Sequence, residues 1–216
     1  VLSGFLYTTR FVSTKSEFAA GVARQPYTLE VARDVTSAAQ FAGACLNQLQ
    51  LSLNPNQDLR LTASWIAKAL LYKASGSPTF PSSSTNPFTF DTASISLAGA
   101  ATARIEAMNM TVDNQLEGIP ALNNSAQIAR IKARGPQLIR VSGTIDFQDM
   151  AEHLDFINQT ERALVLSLTK ADSFQLIADF PRFVYTTFPP NIAGRERLTV
   201  QFAGTARFKT SSNVAA

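Results

Sequence analysis

One histidine limits what this chain could catalyse. His153 is the only imidazole among the 216 residues, so a triad, a histidine metal pair or a proton shuttle would have to be built around it. It falls between Glu152 and Leu154 in a stretch with helical spacing, and it reads as an exposed helical residue. Cys45, the single cysteine, follows Gly43-Ala44 and precedes a strand pattern. Without a base beside it, a small apolar role suits it better than a nucleophilic one. One cysteine also excludes an internal disulfide and a cysteine-based metal site. Asp146, Asp149, Glu152 and Asp155 form the densest acidic group. Spacings of three or four along a helix can bring carboxylates together, but a Ca²⁺ loop of alternating oxygen ligands is missing. The group reads as capping and solvating a helix. No glycine-rich phosphate loop, G-x-S-x-G or H-E-x-x-H occurs, which argues against the common hydrolase and nucleotide-binding classes. The reading assigns no catalytic, cofactor-binding or metal residues and expects no cofactor.

The elements that would have to position these residues are mostly strands. Gln137 to Phe183 organises the rest, because its hydrophobic period changes from two to about three and a half and back. Ile139, Val141, Gly143, Ile145 and Phe147 share one face of an extended segment. From about 149 to 158 the spacing predicts a short helix, with Met150, Leu154 and Ile157 on one face and Asp149 with Glu152 as a capping box. Two further strands follow, over Leu164 to Thr169 and Phe174 to Phe180, joined through Lys170-Ala171-Asp172.

Upstream, Tyr27 to Arg33 reads as a strand that begins behind Pro26, as an edge strand does. Leu49, Leu51 and Leu53, then Leu59, Leu61, Ala63 and Trp65, give a hairpin with one apolar face. A helix is expected toward Leu71, which would make this region a distant echo of Ile105 to Ile157. Residues 75–87 are rich in Ser, Pro and Gly and read as a linker between a β-rich N-terminal part, 1–87, and a C-terminal part, 88–216. In the second part, Ile95 with Leu97 and Met108 with Met110 and Val112 mark strands. Between confident strands lies a long loop, 113–136, which suits a functional or interface segment. The final strand carries Leu198, Val200, Phe202, Ala206 and Phe208, with Gly204 marking a bulge or a close backbone approach.

Apolar residues make up 45% and charged residues 16%, with a net charge of +3. That is too little charge for an electrostatic nucleic-acid groove, and no apolar run is long enough for a membrane helix. Arg130, Lys132 and Arg134 lack interleaved aromatics and suit a solvated or inter-subunit surface. Three sequons begin at Asn109, Asn123 and Asn158. The start, VLSGFLYTTRFVS, has neither Met nor a signal-peptide pattern and reads as a processed or incomplete terminus.

From about Tyr27 to Phe208, the phrases YTLEVARD, FAGACLNQLQLSLNPNQDLRLTASWIAKA, IEAMNMTVDNQLEG, GPQLIRVSGTIDFQD, ALVLSLTKADSFQLIADFPRF and RLTVQFAGTARF resemble, in order, the major tail tube proteins of long-tailed (siphovirus-like) bacteriophages. The resemblance implies a mainly β, sandwich-type tail-tube fold with a short flanking helix, and no catalytic residues. It implies rings that stack into a tube for DNA ejection, with loop 113–136 reaching the adjacent ring. Expected partners are other copies of the chain, tape-measure and tail-terminator proteins, and DNA transiently in the lumen, with no membrane. The expected location is the virion tail, assembled in the host cytoplasm. The alternatives are another β-rich tail or baseplate subunit, and a monomeric β-sandwich that binds carbohydrate or protein. The last predicts a concave aromatic face, whereas the aromatics here are mainly phenylalanines on inner faces, with Trp65 the only tryptophan.

Overall fold

A computed structural model describes residues 26–31, 37–74, 87–122, 127–148, 150–169, 175–189 and 198–207. In chain order the strands are β1 (Tyr27–Val31), β2 (Ser37–Leu53), β3 (Arg60–Ile66), β4 (Ala69–Ala74), β5 (Ala93–Leu97), β6 (Ala100–Thr102), β7 (Ile105–Asp113), β8 (Leu116–Ile119), β9 (Arg130–Ala133) and β10 (Leu138–Asp146). The helix α1 (Ala151–Ile157) follows, then β11 (Arg162–Thr169), β12 (Gln175–Thr187) and β13 (Thr199–Ala206). The expected class is observed: mainly β, with one large antiparallel sheet and one short helix.

The chain divides into two compact units. Residues 1–49, 63–85 and 113–137 form one, and residues 50–62, 86–112 and 138–216 form the other. The second unit holds the larger core. There β10 pairs with β13, β13 with β12, β12 with β11, and β11 with β5. The period-two faces read from the sequence are the buried ones: Met108, Met110 and Val112, Val141 and Ile145, Leu164, Leu166 and Leu168, and Val200 and Phe202. Alternation has this consequence whenever one face of a sheet is covered.

β12 runs straight through Pro181-Arg182-Phe183, which the sequence pattern would treat as a break. Pro181 is tolerated because the β11–β12 register shifts beside it, between Arg162↔Phe183 and Leu164↔Phe180. The same strand bulges against β13 between Tyr185 and Thr187. Gly204 lies opposite Tyr185, and a Cβ there would meet the Phe183 ring at 2.2 Å. The close approach anticipated at this glycine is therefore real.

The first unit is built differently. β2 is 17 residues long and starts well before Leu49, where the alternation is read. Small residues and Gly43, at φ +63°, conceal alternation in Ser37–Ala44. β1 and β4 flank its first half, with Val31↔Ala39↔Tyr72 and Leu29↔Phe41↔Leu70 in register. The helix expected toward Leu71 is thus the strand β4, and the echo of Ile105 to Ile157 fails at that element. A short apolar run carries no reliable period, and pairing with β2 decides it. The loop 113–136 contains a second small sheet, the hairpin β8–β9, with Glu117↔Lys132 and Ile119↔Arg130 in register. The Lys170-Ala171-Asp172 turn, Asp149, Asn123 and Phe208 lie outside the described residues.

Candidate functional site

The residues with chemical potential cluster around α1, and the helix faces the opposite way from the expectation. Met150, Leu154 and Ile157 are 50%, 50% and 59% exposed, while Glu152 and Asp155 are buried. Met150 is the N-cap and makes no side-chain cap hydrogen bond, while the Asp149 of the expected capping box lies outside the described residues. Glu152 is instead committed to Arg104, which donates to it through both Nη atoms. Arg162 donates to Asp155 through Nε and Nη2, each at 2.8 Å. Burial of a carboxylate is costly unless a cation and hydrogen bonds compensate, and each of these two has both. The reading of this group as solvating the helix is therefore wrong for Glu152 and Asp155.

Beneath the helix lie Tyr185, Phe188 and His153. Burial, with Glu152 and Asp155 nearby, pushes the Tyr185 phenol well above its ordinary range. His153 is half-buried rather than exposed, with its ring 6.2 Å from both Phe156 and Phe188. Its Nδ1 is buried and has no hydrogen-bond partner among the described residues. A catalytic histidine needs an orienting acceptor on one ring nitrogen and a reacting group at the other, and no carboxylate orients Nδ1 here. Cys45 sits half-buried on β2. The structure thus brings Glu152, Asp155 and His153 to one helix but spends both carboxylates on arginines. No group of three or more His, Cys, Asp or Glu suited to a metal occurs among the described residues. No helix there is long and apolar enough to cross a membrane.

Two apolar surfaces stand out instead. The first is the outward stripe of α1. The second is one face of the β1–β2–β4 sheet, where Leu29, Val31, Ala39, Phe41, Leu70 and Tyr72 share a side by register. On it Val31, Leu70 and Tyr72 are 41%, 47% and 72% exposed. The opposite face is more polar, with Gln40 donating to Glu30 at 2.7 Å. Among the described residues, β1 and β4 have no strand partner other than β2. The sequence pattern misses this face, because Ser37–Ala44 shows no clear alternation and the run toward Leu71 reads as helix; only the pairing of β1 and β4 with β2 assembles it.

The hairpin β8–β9 is held at its base. Asn114, 2% exposed, donates to the Leu46 carbonyl and accepts from Gln137, and Asn47 accepts from the Leu116 amide. Arg130, Lys132 and Arg134 are exposed, as a solvated or inter-subunit surface requires. Asn109 accepts a hydrogen bond from Ser52 within the sheet, and Asn158 caps the C-terminus of α1.

No curated protein matches the chain. A family model described as phage tail tube protein matches residues 4–206. Ion-paired carboxylates, an unoriented histidine and open apolar surfaces suit a structural subunit, and on the extent of that match this chain belongs to the phage tail tube protein family.

Proposed function

We infer that this chain is the subunit of a tail tube, self-assembling into rings that stack around a lumen through which DNA leaves the capsid. The observation that carries the reading beyond family membership is the open β1–β2–β4 sheet, whose apolar face and strand edges have no cover among the described residues. Such a surface is an aggregation liability in a monomer, and closure between subunits removes it. In this reading the β8–β9 hairpin, with its basic exposed strand, reaches the adjacent ring. Tape-measure and terminator proteins meet the ends of the tube, and assembly takes place in the host cytoplasm.

The experiment is negative-stain electron microscopy of the purified chain across concentration, with light scattering for mass. Rings or hollow tubes are expected. A monomer at every concentration, with initiator partners added, would overturn the reading. Replacement of residues 116–134 by a short flexible linker is expected to leave a folded subunit that does not stack. Long tubes from that variant would remove the hairpin from the inter-ring role.

A further inference from the structure

The two apolar surfaces that no described residue covers differ in kind, one a helix stripe and the other a sheet face. Amphipathic helices and half-apolar sheets bury their apolar sides against each other in the common layered architectures. Among the described residues each is left without its complement: α1 turns Glu152 and Asp155 inward and Met150, Leu154 and Ile157 outward. Resting on the tube-subunit reading, we propose that the outward stripe of α1 on one copy docks on the β1–β2–β4 apolar face of the next copy.

The dimensions agree. From the N-cap Met150 to Ile157 the stripe runs about 10 Å at 1.5 Å per residue. Three strands at 4.7–4.9 Å spacing are also about 10 Å across, and rows two residues apart add about 7 Å along the strand. Each surface contributes three large, substantially exposed side chains: Met150, Leu154 and Ile157 on one, Val31, Leu70 and Tyr72 on the other. These amount to roughly a third of the about 800 Å² per partner that a stable interface takes, so neighbouring residues must supply the remainder.

Pairing either surface with itself would close a two-fold dimer and leave the other surface open. Joining the two different surfaces uses both on every copy and propagates, as rings require. The stripe is free for this role because ion pairs to Arg104 and Arg162 engage the opposite side of the helix.

The test uses the full chain with Cys45→Ser, carrying either Leu154→Cys or Tyr72→Cys. Mixed and oxidised, the two are expected to form a disulfide-linked dimer that neither forms alone; Ile157→Cys with Leu70→Cys gives a second geometry. Should Cys45→Ser fail to fold, complementary charges replace the cross-link. Leu154→Lys and Tyr72→Glu each lose assembly alone, and the mixture regains it by alternating around the ring. Rings or tubes without any mixed dimer and without charge rescue would overturn this interface and leave the tube reading standing. Dimers of Leu154→Cys with itself would also overturn it. No assembled particle from the unaltered chain would overturn the tube reading, and the interface with it.

Discussion

The two units of this chain use the same period-two grammar to opposite ends. In the unit containing β10 to β13, alternation produces a covered face: Phe183 and Tyr185 on β12 are essentially inaccessible, and their rings meet that of buried Phe202 edge to face. In the unit containing β1, β2 and β4, the same alternation gathers six apolar residues on a face that no described element covers. Alternation therefore states that a face is apolar, not that its own chain covers it. Among the described residues the first unit's sheet keeps an apolar face open, and in the proposed tube another copy covers it.

Substitutions can break this contrast, beginning where the effect is greatest. Phe183→Ala removes a fully buried ring and should lower subunit stability by about 3–5 kcal/mol in chemical denaturation. A loss below about 1 kcal/mol would show that the second unit is not the closed core described here. Glu152→Gln, which leaves Arg104 facing a neutral group at a buried site, should cost about 1.5–3 kcal/mol. A neutral result would mean that α1 is not held by its charged side. Tyr72→Ser on the open sheet should change subunit stability by less than about 0.5 kcal/mol while weakening assembly in light scattering. A core-sized stability loss would show that the face is already covered within the subunit.

The smallest expected effect concerns pH. Hydrogen bonds from Arg182 hold the Glu161 carboxyl below its ordinary value of 4.5, with Arg207 adding to the effect. A group whose folded pKa is depressed stabilises the fold above its unfolded pKa, and that stabilisation fades as pH falls through the folded value. The melting difference between the unaltered chain and Glu161→Gln should therefore be full near neutrality and shrink below pH 4.5. A difference that grew with acid would contradict the assignment. The Arg182 and Glu161 side chains are partly exposed, at 38% and 30%, so added salt should reduce the difference.

Much of the fold was legible because sheet faces repeat every two residues, as Leu164, Leu166 and Leu168 or Met108, Met110 and Val112 show. Three features were not. Ser37–Ala44 contains small residues and Gly43, which blur the contrast between faces. Leu70 and Leu71 belong to a run too short to separate strand from helix until β2 pairs with it. The orientation of α1 depends on Arg104, 48 residues from its partner Glu152. Local spacing assigns the apolar side inward, and the two arginines that pair the inward carboxylates, distant Arg104 and nearby Arg162, reverse it. The uncovered sheet face was the least legible part of the candidate site, because covering is a property of neighbours in space and not of the strand that needs it.

The most direct test of this account is hydroxyl-radical footprinting of the free subunit beside its assembled form, read at individual side chains. The account predicts that Tyr72 and Met150 react in the free subunit and become protected on assembly, while buried Met108, Met110 and Tyr185 stay unreactive in both. Assembled particles in which Tyr72 and Met150 react as strongly as in the free subunit would contradict it.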